Sequence, residues 1–181
     1  MILILARSAI SRAGPVIEIG DISEKESKDY LKKRCRGKKN GKEFKISEEE
    51  INKFYKLVGG RIVDLKSVAD FYKIRNSFES IKQHFLIKAK KKFKDAQILP
   101  NDPYYKIGKR IINELLKSKE FTYLAFKRYF HDVKILEEVL EGNVFAYYPK
   151  PNTVIFQSQM IVSYIQKNSD LFINSNEKRR K

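Results

Sequence analysis

A double glycine followed by an arginine interrupts an otherwise helical stretch of the chain, in the run 57–65. Gly59 and Gly60 end one predicted helix, because glycine readily adopts the left-handed backbone conformation that a helix C-terminus needs. The apolar residues that follow Arg61 begin a second helix at once. The sequence therefore predicts two helices joined by a tight turn, with an arginine at the start of the second helix.

Two capping boxes mark helix starts before this turn. Each places a serine at the N-cap and a glutamate three residues later, at 23 and 26 and again at 47 and 50. The serine hydroxyl accepts a bond from a free backbone N–H and the glutamate bonds back, which is worth about 1 kcal/mol. We expect helices to begin after Ser23 and Ser47, and the basic residues 36–42 between them to form a glycine-rich loop.

A long helix is predicted from Ser77, because apolar residues recur at helical spacing until Phe93. Lysines occupy much of its other face. Two prolines, at 100 and 103, end this helix, and Asp102 is expected to start the next one. The lysines of the long helix are Lys82, Lys88, Lys90, Lys91, Lys92 and Lys94.

The last third of the chain has a different pattern. Three helices are predicted, beginning near Ile107, at Leu124 and after Asp132. Two β-rich runs, 144–148 and 153–156, then flank turn residues, which indicates a hairpin. A further helix follows near residues 160–166. Three helices, a hairpin and a helix are the element order of a winged helix.

The start of the chain contains a short aliphatic run, residues 2–6, typical of a parallel strand buried on both faces. The fold class expected for the whole chain is mainly α with a small β component. We expect four segments: a strand-bearing start at 1–20, a helical unit at 21–100, a winged helix at 101–170 and a disordered basic tail at 171–181.

The charge of the chain limits the classes of partner that we expect, and its cysteine content indicates the cellular compartment. The formal net charge of +16 favours nucleic acid, acidic protein or an anionic surface as a partner. A single cysteine, Cys35, cannot form an intrachain disulfide, so we expect an intracellular location in the cytoplasm, nucleus or mitochondrion. No apolar run approaches the length of about 18 residues that a membrane span needs.

The order of these features resembles the C-terminal half of P-loop ATPases of the AAA+ and STAND type, with fungal members and the ATPase region of mitochondrial escape-type proteins closest. The resemblance covers residues 1–168 and is carried by the aliphatic run, the segment P-V-I-E-I-G-D-I-S-E-K-E-S from Pro15, the run G-G-R-I-V-D-L and the winged-helix pattern. It implies a last core strand at 2–6 and a helical lid over 21–100. ATP and Mg²⁺ are the ligands that it implies for a complete protein.

The resemblance also implies roles for individual residues. Arg61 stands where a sensor-2-type arginine would reach the γ-phosphate, with Gly59 and Gly60 as the turn that presents it. Arg12 follows the core strand, where such ATPases place an arginine that reaches a nucleotide or a neighbouring subunit. Simpler interpretations stay open: a purely structural turn, a surface arginine at position 12, and ion pairing of Arg61 with Glu48, Glu49 or Asp64.

The phosphate-binding loop G-x-x-x-x-G-K-[ST] does not occur in these 181 residues. We therefore expect that the chain alone neither binds nor hydrolyses nucleotide. The expected function is a non-catalytic regulatory part that couples the nucleotide state of a P-loop core, in the same chain or another, to the position of the winged helix. Assembly into a homo-oligomer fits this class of ATPase.

Two other functions remain open. One is a basic nucleic-acid-binding module, although three glutamates on the third winged-helix helix argue against DNA contact there, because phosphate binding depends on Lys and Arg. The other is a protein-interaction or scaffold module that ignores both ATP and DNA. The candidate phosphate contacts are Lys90, Lys91, Lys92, Lys127, Arg128 and Lys150.

Overall fold

The computed structural model describes residues 20–39, 42–74 and 76–173. These residues form a mainly helical fold with small antiparallel sheets, which confirms the expected fold class at that level. The aliphatic run at 2–6, Arg12 and residues 174–181 of the predicted tail lie outside the described residues. Leu171 and Phe172 belong to the last helix and Phe172 is fully buried, so the prediction that a disordered tail starts at residue 171 is wrong. No helix within the described ranges is both long enough and apolar enough to cross a membrane.

Four helices and a hairpin make up the first part of the fold. Both capping boxes are present: the hydroxyls of Ser23 and Ser47 accept from the backbone three residues on, and Glu26 and Glu50 bond back. The predicted helix starts are therefore confirmed. The elements are α1 (Glu24–Arg34), β1 (Arg36–Lys39), β2 (Lys42–Lys45), α2 (Glu48–Val58), α3 (Ile62–Lys73) and α4 (Phe78–Asp95).

The basic stretch between α1 and α2 is a two-stranded antiparallel hairpin, so the prediction of a loop there is wrong. Arg36 lies opposite Lys45, and Gly37 lies opposite Phe44. A Cβ at Gly37 would come within 2.9 Å of the Phe44 ring, so glycine lets this ring cover strand β1. Backbone pairing needs no apolar alternation, and alternation was the sequence signal that this stretch lacked.

The second part of the fold contains a three-stranded antiparallel sheet in the order β3-β5-β4. The expected order of three helices, a hairpin and a helix is present. The two-residue strand β3 and the final short helix were not predicted. The elements are α5 (Tyr105–Ser118), β3 (Phe121–Thr122), α6 (Tyr123–Lys127), α7 (Val133–Glu141), β4 (Phe145–Tyr148), β5 (Thr153–Phe156), α8 (Gln159–Lys167) and α9 (Ser169–Phe172).

Asp102 does not start helix α5, which corrects the sequence prediction. Its carboxylate accepts from the N–H of Leu99 at 3.0 Å and pairs with Lys94 at 2.6 Å. Helix α5 begins at Tyr105, and the preceding Tyr104 makes no side-chain cap. Asp102 therefore closes the connection between α4 and α5 instead of capping the next helix.

The two parts of the fold share one hydrophobic core. Helix α8 packs against both α2 and α4. The Phe93 ring of α4 lies 4.9 Å from the Tyr164 ring and 5.0 Å from the Phe172 ring. A Cβ at Gly142 would come within 2.4 Å of the Ala96 backbone, so glycine is needed where α7 ends against α4. The sequence pattern changes near residue 100, but the parts of the chain before and after that point pack into one continuous core.

Candidate functional site

The turn at Gly59 and Gly60 presents Arg61 at the start of α3. Gly59 closes α2 with a φ of 69°, a conformation strained for residues with a Cβ. Gly60 packs directly on the segment before α1: its carbonyl accepts from the N–H of Ile22 at 3.0 Å, and a Cβ there would come within 2.1 Å of the Ile22 carbonyl oxygen. The backbone geometry and close packing of this turn therefore account for glycine at both positions.

Arg61 is the N-cap residue of α3 and makes no capping bond with its side chain. Within residues 20–39, 42–74 and 76–173 it forms no ion pair. Asp21 is close enough for the guanidinium to oppose the rise in the Asp21 pKa that burial causes. The interpretation of Arg61 as a partner of one of three acids is wrong, because each acid pairs with a lysine: Glu48 with Lys32 at 2.6 Å, Glu49 with Lys53 at 2.5 Å, and Asp64 with Lys88 at 3.0 Å.

A buried carboxylate lies one turn further along α3. The residue Asp64 is only 2% exposed, and its Oδ1 accepts from the Lys88 ammonium at 3.0 Å. Its Oδ2 is buried and has no hydrogen-bond partner in the described part of the chain. An ionised carboxylate with an unpaired oxygen is costly to bury, so the cations around it are needed to stabilise its charge.

Lys92 of α4 extends this cluster towards the second part of the fold. It is half-buried, and its Nζ donates to Oε1 of Gln157 at 2.6 Å. The pKa of Lys92 falls to about 8, mainly because of burial; the positive charges of Arg61 and Lys88 also lower it, and Asp64 opposes them. Three cations and one buried acid therefore converge here, and we call Arg61, Asp64, Lys88, Lys92 and Gln157 the junction cluster.

The connection between β5 and α8, residues 157–158, and the first residue of α8 contact both the junction cluster and the glycine turn. The N–H of Gln157 donates to the carbonyl of Val144 at 3.0 Å, which ties it to the start of the hairpin. Ser158 has a buried hydroxyl without a partner among the described residues. A Cβ at Gly59 would lie 2.9 Å from Cβ of Gln159. This connection therefore joins the turn at Arg61 to the second part of the fold, which contains the β4–β5 hairpin.

The structure does not gather the predicted phosphate contacts into one place. Lys90 and Lys91 are exposed, whereas Lys92 is half-buried and donates to Gln157, so these three predicted phosphate contacts do not form one exposed group on α4. The remaining candidates are exposed around α6 and the β4–β5 turn: Lys127, Arg128 and Lys150. Of the predicted site residues that the structure describes, those at the junction are Arg61, Gly59, Gly60 and Lys92.

Sequence reasoning missed the roles of Lys88 and Gln157 in this site. One signal was present: Asp64 lies on the face of α3 that buries Val68, and an acid at a buried helical position needs a cation. The described ranges contain no group of three or more His, Cys, Asp or Glu residues that could hold a metal ion. No protein family model, no curated protein sequence and no solved structure matches this chain.

Proposed function

We propose that this chain is the regulatory lid and winged helix of a P-loop ATPase of the AAA+ or STAND type. Arg61 meets the terminal phosphates of a nucleotide that is held by a P-loop core, in the same longer protein or in a partner. The observation that carries the proposal is the position of Arg61 at the start of α3. It has no ion pair in the described ranges, and it lies close enough to Lys92 of α4 for its charge to lower the pKa of that lysine.

The first turn of α3 suits an anion. The first intrahelical bonds are donated by Asp64 and Leu65 to the carbonyl of Arg61, so the N–H groups of Ile62 and Val63 are available to an external acceptor. The helix dipole also favours negative charge at this end. Ile62 and Val63 are 38% and 59% exposed, which leaves the turn accessible. A guanidinium fork at such a site complements phosphate oxygens.

The topology of residues 105–156 supports the winged-helix part of the proposal. A helix, a short strand, two helices and a hairpin, with the short strand paired to the second hairpin strand, follow the order of that fold. Its third helix, α7, is a poor DNA reader because Glu137 and Glu141 are exposed. Glu138 accepts from the Tyr104 hydroxyl at 2.7 Å. We therefore infer that α7 contacts protein and not DNA.

The junction cluster would transmit the nucleotide state. Asp64 and Lys88 tie α3 to α4, and the bond from Lys92 to Gln157 ties α4 to the start of α8. The Ser163 hydroxyl of α8 donates to the Leu57 carbonyl at 3.1 Å, next to the glycine turn. Binding of a γ-phosphate by Arg61 would therefore move the lid and the winged helix together towards the P-loop core. Loss of that phosphate would let both move back.

Nuclear magnetic resonance titration with inorganic triphosphate tests the phosphate contact. We expect millimolar binding that shifts the backbone amides of residues 61–64 and weakens in Arg61→Ala. Lys66→Ala is the matched control, because Lys66 is an exposed cation of the same helix. Equal shifts in both variants, or shifts confined to other regions, would contradict the proposal.

Calorimetric titration with ATP-Mg²⁺ tests whether this chain binds nucleotide in the absence of a P-loop core. We expect no binding in the micromolar range, because Arg61 contributes a single contact and the loop that cradles the other phosphates is not in the sequence. Micromolar affinity of the chain alone would contradict its assignment as a non-catalytic part.

A further inference from the structure

The hairpin β1–β2 carries a concentration of positive charge that the function proposed above does not use. Residues 36–45 contain five Lys and Arg residues and one Glu, and three more basic residues, 32–34, end helix α1 just before it. We propose that this hairpin binds duplex DNA by lying in the major groove and contacting the phosphate backbone. The inference is independent of the nucleotide contact at Arg61.

Cross-strand register places like charges opposite each other in this hairpin. Arg36 is the direct partner of Lys45 and Lys39 is the partner of Lys42, whereas Lys38 lies opposite Glu43. Directly opposed residues of an antiparallel pair have Cβ atoms about 4.5–5.5 Å apart, and like charges at that spacing destabilise the pair. No third strand within the described ranges supports the hairpin, and two-stranded hairpins are marginal alone. A polyanion bound across these cations would remove the repulsion.

One face of the hairpin carries basic residues together with the single acid Glu43. Phe44 and Gly37 occupy one face, and the other, which we call the outer face, holds Arg36 opposite Lys45 and Lys38 opposite Glu43. Arg36 and Lys45 are exposed and form no ion pair with any residue that the structure describes. Lys32, at the base of the hairpin, is the exception, because it pairs with Glu48 at 2.6 Å. The outer face therefore keeps an excess of basic residues over acids, and Arg36 and Lys45 expose their charges to solvent.

The shape and composition of the hairpin favour duplex DNA over other anionic partners. Two strands about 4.8 Å apart form a ribbon that fits a major groove about 12 Å wide. The major groove of A-form RNA is too narrow to admit such a ribbon. Stable binding to an anionic membrane takes a second signal beside the cations, such as exposed apolar anchors. Phe44, the one large apolar side chain of the described hairpin residues, is half-buried against Gly37.

Fluorescence anisotropy with the full chain and a labelled DNA duplex of about 20 base pairs, two helical turns, provides the test. The variant is Arg36→Gln with Lys45→Gln. The matched control is Lys25→Gln with Lys66→Gln, which removes the same charge from exposed positions on α1 and α3. Circular dichroism and thermal unfolding check that both variants fold.

We expect the hairpin variant to lower the slope of log K against log salt by about 1.8, since each phosphate contact contributes about 0.9. At about 0.1 M salt this corresponds to a loss of affinity of roughly 10–100-fold, whereas the control changes affinity by less than about threefold. An RNA duplex of the same sequence is expected to bind at least about tenfold more weakly.

Three results would overturn the proposal. Equal losses in the hairpin variant and the control would mean a diffuse attraction set by net charge. An equal loss in Lys90→Gln with Lys91→Gln, without an effect of the hairpin variant, would place DNA on α4. Absence of DNA binding together with binding to vesicles of equal parts phosphatidylserine and phosphatidylcholine, dependent on Arg36 and Lys45, would mean a membrane surface.

Discussion

Replacing Gly60 with alanine tests whether the segment before α1 holds the turn that presents Arg61. A Cβ at Gly60 would come within 2.1 Å of the carbonyl oxygen of Ile22 and 3.1 Å of Cβ of Asp21. The nearer atom belongs to the backbone and cannot rotate away, so the segment must move off the turn. That movement breaks the bond from the Ile22 N–H to the Gly60 carbonyl and lifts the half-buried Ile22 side chain from the core.

The expected magnitude follows from these two losses. The hydrogen bond contributes about 1 kcal/mol to the free energy of unfolding. The partly buried Ile22 side chain contributes about 1 kcal/mol more, roughly half of full burial. Alanine restricts the unfolded chain and returns about 0.5 kcal/mol. The net expectation is a destabilisation of about 1.5 kcal/mol, which lowers Tm by about 3–6 °C for a chain of this size.

Thermal and urea unfolding followed by circular dichroism measure this effect. Gly20→Ala is the matched control, because it makes the same change two residues before Ile22 and meets nothing within 4 Å. The control should match the parent protein or exceed its stability slightly. A Gly60→Ala variant within about 0.5 kcal/mol of the parent, or an equal loss in both variants, would refute the argument from close packing at the turn.

Three further predictions concern buried groups. Lys88→Met should lower the free energy of unfolding by about 2 kcal/mol, because it leaves the buried Asp64 without its cation, and adding Asp64→Leu should recover part of that loss; strictly additive costs in a double-mutant cycle would contradict the pairing. The folded-state pKa of Lys92, about 8, is below its ordinary value of 10.5, so the folded state binds fewer protons between these values and stability should rise with pH across that window. Solvent screening limits the rise to the order of 1 kcal/mol, and pH profiles of the parent and of Lys92→Met that run parallel would contradict it. Cys35 is fully buried and burial raises its pKa to about 11, so a thiol reagent should label it slowly in the folded protein and rapidly in denaturant; fast labelling of the folded protein would show that the site opens.

Local signals predicted the helix starts well, because a capping box depends only on residues three apart. Ser23 and Ser47 illustrate this. Asp102 shows the limit of the same reasoning, since an aspartate beside a proline can cap a helix or close a loop. The lysine that decides between these outcomes is Lys94, on the preceding helix, and its position depends on how α4 ends.

The candidate site could be predicted only in part. The turn that presents Arg61 follows from the double glycine, but the absence of an ion pair there depends on where Lys32, Lys53 and Lys88 lie in the fold. Lys92 and Gln157 are 65 residues apart, and no periodicity relates them. The hairpin β1–β2 was missed because its strands are rich in lysine, a residue that strands disfavour.

The aromatic contacts of Phe93 with Tyr164 and Phe172 constrain how the molecule can be divided for experiments. A fragment that stops near residue 100 would uncover Phe93, and one that starts there would uncover Tyr164 and Phe172. Either half would expose rings that the whole chain buries, so each should precipitate or bind hydrophobic dyes when expressed separately. The same packing holds the two halves in one arrangement. A movement of either half would therefore carry the other with it as a rigid body.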